Sequence, residues 1–214
     1  MPQPGKPRTA RRDDAAARRR SRAAEVHRKT KETDISVKVG LDGAGSYDVE
    51  TGIPFLNHML ELFARHGFFD LSVRGRGDLE VDAHHTVEDV GLTLGEALRN
   101  ALGDKHGIRR FGEATVPLDE ALVSVVIDLS GRPFFAYNVK LEQERVGTFD
   151  VELIHDFLLA LTNQVGMNLH INMLSGRNPH HIVEASFKGL ARALSLAASY
   201  DPRVKGVLST KGIL

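Results

Sequence analysis

The chain has 214 residues, 42% of them apolar and 26% charged, the proportions of a soluble globular protein with a sizeable core in one or two domains. It has no cysteine, which excludes disulfides, thiolate nucleophiles and zinc–thiolate sites, so metal chemistry must use its ten His with Asp and Glu. No apolar run approaches the ~18 residues that span a bilayer, and 28 Lys and Arg balance 28 Asp and Glu, although residues 1–31 carry a net +8, so a uniformly basic nucleic-acid binder is excluded as well.

Residues 1–28 are rich in Arg, Ala and Pro and lack the apolar stretch of a secretory signal. They read as a disordered basic tail ahead of a folded body over 29–214. Organellar targeting is the less favoured reading, and a cytoplasmic protein is expected. Asp34–Leu41 alternates as a half-buried strand does, Asp42-Gly43 with Gly45 marks a hairpin turn, and Tyr47–Glu50 returns as a strand. Leu56–His66 has helical spacing, Leu71–Arg74 and Leu79–Val81 read as short strands, and Thr86–Leu102 as a helix with Val90, Leu94, Ala97 and Ala101 inward. Ala121–Leu129 and Phe134–Leu141 read as strands around the turn Ser130-Gly131-Arg132-Pro133. Val151–Gln164 is a predicted helix, Asn168–Asn172 a strand, and His181–Ala198 a long helix before a loop over 201–214.

These elements repeat. Helix 56–66, strand 71–74, loop and His84-His85-Thr86-Val87-Glu88 match helix 151–164, strand 168–172, loop and His180-His181-Ile182-Val183-Glu184. Leu71 precedes His84 by 13 residues and Leu169 precedes His180 by 11, so a loop two residues shorter brings the halves into register. The expected fold is α+β: two similar halves, about 29–115 and 116–200, each with sheet packed on helices, related by a pseudo-two-fold axis.

One His-His-x-x-Glu is weak evidence; two copies, each after a strand and opening a helix, are strong. Residues three and four apart share a helix face, so each Glu sits beside a His as two legs of a metal site. Adjacent residues diverge by ~100°, so His84 and His85, and likewise His180 and His181, suit different ions. Nitrogen and oxygen ligands without sulfur suit Mn²⁺, Fe²⁺ or Zn²⁺. His58 is a further candidate ligand, with helix capping as the bland alternative. Its counterpart by register is Asp156, with His155 one place earlier, and the two remain alternatives. His66, His106 and His170 read as surface or core histidines. Phosphate-loop, dinucleotide and serine-nucleophile motifs are absent. Arg109, Arg110, Arg132 and Lys211, with Ser209 and Thr210, are cations and hydroxyls that could converge on a phosphate or simply be solvated.

GIPFLNHML (52–60), AHHTVEDVG (83–91), GIRRFG (107–112), PLDEAL (117–122), DLSGRP (128–133), GRNPHHIVEASFK (176–188) and STKG (209–212) together closely resemble the imidazoleglycerol-phosphate dehydratase family from about Arg28 to Leu214. The resemblance implies dehydration of imidazole glycerol phosphate to imidazole acetol phosphate in histidine biosynthesis. It implies two Mn²⁺ per active site, and trimers assembled into a 24-subunit shell with sites between subunits. It implies metal ligation by His58, His84, His85, Glu88, His180, His181 and Glu184, with Glu88 and Glu184 counted also among the catalytic carboxylates. It implies phosphate binding by Arg110, Arg132, Ser209 and Lys211, and places Glu32 at the reacting end of the substrate as a proton-transfer group. Some members have His where the register puts Asp156. A di-iron helical-bundle oxidase is disfavoured because Glu-x-x-His runs in the opposite order there and strands intervene here. A metal-storage protein would not need the phosphate residues.

Overall fold

The computed structural model describes residues 22–214. The first half contains β1 (Ala23–Lys29), β2 (Thr33–Gly40), β3 (Tyr47–Glu50), α1 (Pro54–Gly67), β4 (Asp70–Gly77) and α2 (His84–Leu102). The second contains β5 (Phe111–Leu118), β6 (Ala121–Asp128), β7 (Phe134–Asn138), α3 (Leu153–Val165), β10 (Asn168–Ser175) and α4 (Pro179–Ala198). A small ribbon, β8 (Arg145–Val146) with β9 (Phe149–Asp150), is inserted before α3.

The two sheets have one topology, β1-β2-β4-β3 and β5-β6-β10-β7, as the internal repeat predicts. A helix lies between β3 and β4 and between β7 and β10, which supplies the crossover that their parallel pairing requires. Alternation sends Ile35, Val37 and Val39 of β2, and Val123, Val125 and Ile127 of β6, into one continuous core. The helices meet across the halves, α2 on α3 and α1 on α4, and form an inner layer between the sheets. No helix among the described residues is long and apolar enough to cross a membrane.

Several expectations need correction. Of the expected tail, residues 1–21 lie outside the described residues, but 23–29 form β1, paired with β2 over seven positions. Alternation of Ala24 and Val26 with charged residues is a strand pattern that basic composition obscured. The turn at Asp42-Gly43 does not make a β2–β3 hairpin: β3 pairs with β4, and β4 lies between it and β2. Asp70 Oδ1 accepts the N–H groups of Ala44 and Ser46, both at 3.0 Å, and a Cβ on Gly43 would meet the Asp70 backbone nitrogen at 2.6 Å, so glycine is required there. Similarly, Ser130–Pro133 does not join β6 to β7 as neighbours, because β10 lies between them. Leu79–Val81 is a turn rather than a strand. Strand β5 is not among the expected elements, and it contains both Gly112 and Pro117. Pro117 is tolerated on this edge strand, and a Cβ on Gly112 would stand 1.9 Å from the Ala193 carbonyl of α4. The second half therefore begins with β5 at Phe111, not near residue 116.

Candidate metal centre

Each HHxxE segment opens a helix whose first turn needs acceptors for its unpaired N–H groups. Asp82 Oδ1 accepts from the His84 N–H at 2.7 Å, and Asn178 Oδ1 caps α4 by accepting from the His180 N–H at 2.9 Å. The histidines are thereby held at helix starts, half exposed and facing outward.

Adjacent rings diverge as the helical period demands, with interplanar angles of 82° for His84 and His85 and 79° for His180 and His181. His180 Nε2 lies 3.1 Å from Glu184 Oε2, and His58 Nε2 of α1 lies 3.3 Å from the same oxygen. These three groups converge closely enough to share one cation. The pseudo-two-fold counterpart is looser. His84 Nε2 is 3.9 Å from Glu88 Oε2, and His84 Nδ1 is 3.6 Å from Asp156 Oδ2. The first cluster joins α1 to α4 and the second joins α3 to α2, so each spans the interface between halves.

Asp156 thus occupies the place in the second cluster that His58 holds in the first. His155 turns instead onto Phe135 and Tyr137, with ring centroids 5.2 and 5.8 Å away. Partial burial pushes the Glu184 carboxyl up, but Lys188 Nζ at 2.6 Å, with His58 and His180, prevails and holds it below its ordinary value. Lys188 was not singled out in the sequence, although its four-residue spacing from Glu184 is a recognisable helix pair.

The second histidine of each pair faces away from these clusters. His85 Nδ1 is 3.0 Å from Asp78 Oδ2 and 4.0 Å from Glu32 Oε2; His181 Nδ1 is 2.8 Å from Glu120 Oε2. Asp78 lies outside the quoted motifs and Glu120, although inside PLDEAL (117–122), shows no role there, because only the folded loops bring them to the rings. Neither cluster holds more than three ligands from one chain, and His85 and His181 are not among them. The donor set of imidazole nitrogen and carboxylate oxygen fits Mn²⁺ or a similar divalent ion.

The expected phosphate residues only partly converge. Arg110 and Ser209 line one open cleft of about 940 Å³ with Arg109, Arg203, Lys205 and Thr210, whereas Arg132 and Lys211 do not line it. Arg110 Nε and Nη2 donate to both Asp128 carboxylate oxygens, at 2.6 and 3.0 Å, and Nη1 donates to the Leu208 carbonyl at 2.8 Å. This tethers the C-terminal loop to the start of β5. The Lys211 N–H reaches Ser209 Oγ at 3.2 Å.

The sequence profile of imidazoleglycerol-phosphate dehydratase matches residues 51–194. Relatives of that name from Geobacter metallireducens and a Geobacillus species are 55% and 56% identical, covering 91% and 90% of this chain and 100% and 99% of their own. Among solved structures, the imidazoleglycerol-phosphate dehydratase of Staphylococcus aureus matches with TM-score 0.77 and 36% identity, over 84% of this chain and 99% of its own. The enzyme of Pyrococcus furiosus, solved with (S)-C348, matches with TM-score 0.77 and 41% identity, over 88% of this chain and 100% of its own. With two structurally equivalent His and carboxylate clusters and near-complete coverage of these relatives, the chain belongs to the imidazoleglycerol-phosphate dehydratase family.

Proposed function

We propose that the protein dehydrates imidazole glycerol phosphate to imidazole acetol phosphate, a step of histidine biosynthesis, with two Mn²⁺ per active site. The observation that carries this reading is the pair of equivalent clusters, His58 with His180 and Glu184, and Asp156 with His84 and Glu88, in a chain of this family. Bound Mn²⁺ supplies Lewis acidity toward the imidazole nitrogens of the substrate. Glu32, exposed on the β1–β2 turn near His85, is the group we assign to proton transfer between carbon and the departing hydroxyl. We assign the phosphate to Arg110, Arg132, Ser209 and Lys211, with Arg110 and Ser209 sharing one cleft and Arg132 and Lys211 outside it, and the held phosphate fixes the glycerol chain against the ring. The substrate is a soluble phosphate ester, which suits a cytoplasmic enzyme.

Geometry supports assembly from several chains. Arg110 sits beside the C-terminal end of α4, its N–H donating to the Ala197 carbonyl, while His181 is at the N-terminal end. At 1.5 Å per residue the 16 steps from His181 to Ala197 separate them by roughly 24 Å. Along the β5–β6 hairpin, from Phe111 opposite Asp128 to the turn at Glu120, the separation is again roughly 26 Å. A small phosphate ester cannot bridge that distance, so Arg110 and His181 serve one site only if they come from different copies. The family resemblance suggests trimers in a 24-subunit shell. The direct test is a dehydratase assay on metal-depleted protein with Mn²⁺, Zn²⁺ or Mg²⁺ restored. Mn²⁺ should restore turnover, and absence of dehydration with every metal would overturn the reading.

A further inference from the structure

The repeat allows equivalent positions to be compared, and at one of them the halves differ. β2 begins at Thr33 and β6 at Ala121, so Glu32 and Glu120 hold the same place in the turns before them. His85 and His181 are likewise equivalent. In the second half the two equivalent groups meet. Glu120 Oε2 lies 2.8 Å from His181 Nδ1, while Oε1 accepts the N–H groups of Arg177 at 3.2 Å and Asn178 at 2.8 Å. In the first half Glu32 stands 4.0 Å from His85 Nδ1, and Asp78 Oδ2 takes the hydrogen-bonding place at 3.0 Å. Asp78 follows β4 directly; its counterpart after β10 is Gly176, which has no side chain to offer. The halves thus use different carboxylates for one purpose.

A carboxylate accepts but does not donate, so a neutral imidazole facing it carries its proton on Nδ1 and presents the Nε2 lone pair outward. That is the form a histidine must take to ligate a cation, and an orienting partner also fixes the ring plane. Asp78 Oδ1 is buried and makes no hydrogen bond among the described residues, so the imidazole is that carboxylate's one strong side-chain partner. His181 Nε2 faces the exposed Asp119 only at 3.9 Å, beyond hydrogen-bond range.

We propose that Asp78 and Glu120 are positioning residues that orient His85 and His181 toward cations shared with neighbouring copies, and that this exchange of partners leaves Glu32, alone of the two turn glutamates, available for proton transfer. The proposal rests on the metal-dependent reading above and adds a division of labour between the halves. One turn glutamate is committed to structure, and the other is released because Asp78 replaces it.

The test is a Mn²⁺ titration of the metal-depleted full chain, with unbound ion read by its electron paramagnetic resonance signal. Asp78→Ala and Glu120→Ala should each weaken Mn²⁺ binding by about 10- to 100-fold, the usual loss for an orienting partner. The unfolding temperature of metal-free Asp78→Ala should stay unchanged, which separates positioning from structural damage. Glu120→Gln, which keeps an acceptor, should recover much of the affinity, and Glu32→Ala should bind Mn²⁺ like the wild type. His181→Ala is the reference. If it weakens binding while Asp78→Ala or Glu120→Ala titrates like the wild type, that residue's positioning role is refuted and the metal reading stands. If His181→Ala itself binds like the wild type, the metal reading fails and the inference with it. Should Glu120→Ala not fold, the Asp78→Ala arm decides, because its side chain makes no backbone hydrogen bond in the described structure.

Discussion

Strand β1 lies within a segment whose composition suggests a tail, so a truncation measures how far the fold depends on it. A chain starting at Arg22 keeps β1, and one starting at Lys29 removes nearly all of it. The shorter chain loses the half-buried Val26, worth about 1 kcal/mol at partial burial. It also loses Arg28, whose Nε donates to Asp89 Oδ1 at 2.9 Å. Asp89 is 10% exposed and Arg28 43%, so the ion pair is partly screened. A charge-assisted bond of roughly 1.5–3 kcal/mol is then discounted to about 1. The β1–β2 ladder and the entropy of ordering β1 offset each other within the same range. The net loss is about 2 kcal/mol, or roughly 4–8 °C in unfolding temperature for a domain of this size. Thermal unfolding followed by circular dichroism, on metal-free protein at matched concentration, measures it. Arg28→Met in the longer chain should account for about half of the shift. Equal unfolding temperatures for the two chains would show that β1 contributes nothing and refute this reasoning.

Asp156→Ala should lower bound Mn²⁺ per chain in elemental analysis while His155→Ala leaves it intact, because only Asp156 faces His84 and His155 packs on Phe135 and Tyr137. Arg110→Ala and His181→Ala should each be inactive alone, yet regain turnover well above either parent when co-assembled, if one site draws phosphate and metal residues from different chains. Failure of every mixture to recover activity would confine the site to one chain. Glu120 is held down to about 2, mainly by the Asn178 N–H, then by His181 and the Arg177 N–H. Its carboxylate therefore contributes its full stability above the unfolded value near 4.5 and loses it as pH falls toward 2. The urea midpoint of the wild type should exceed that of Glu120→Gln at pH 6, and the gap should shrink by pH 3.

Local spacing carried much of this protein. The duplicated HHxxE, its place after a strand and at the start of a helix, and the divergence of adjacent histidines all follow from the helical period, which acts within a few residues. The same is true of the core faces of α2, β2 and β6, where 3.6- and 2-residue periods select the buried side chains. The register that pairs His58 with Asp156 was also readable, although the choice between Asp156 and His155 was not. One residue on a helix turns a side chain by about 100°, and only packing against Phe135 and Tyr137 decides which neighbour faces the cluster. Tertiary structure alone decided the strand order, because parallel pairing of β3 with β4 and of β7 with β10 depends on where α1 and α3 pack. It alone placed Gly112 and Pro117 in an edge strand, since the reason for Gly112 is a carbonyl of α4 distant in sequence. It likewise brought Asp78 to His85 and Glu120 to His181. Hydrogen bonds between groups 7 and 61 residues apart leave no period to read, and only the folded chain brings those atoms within 3 Å.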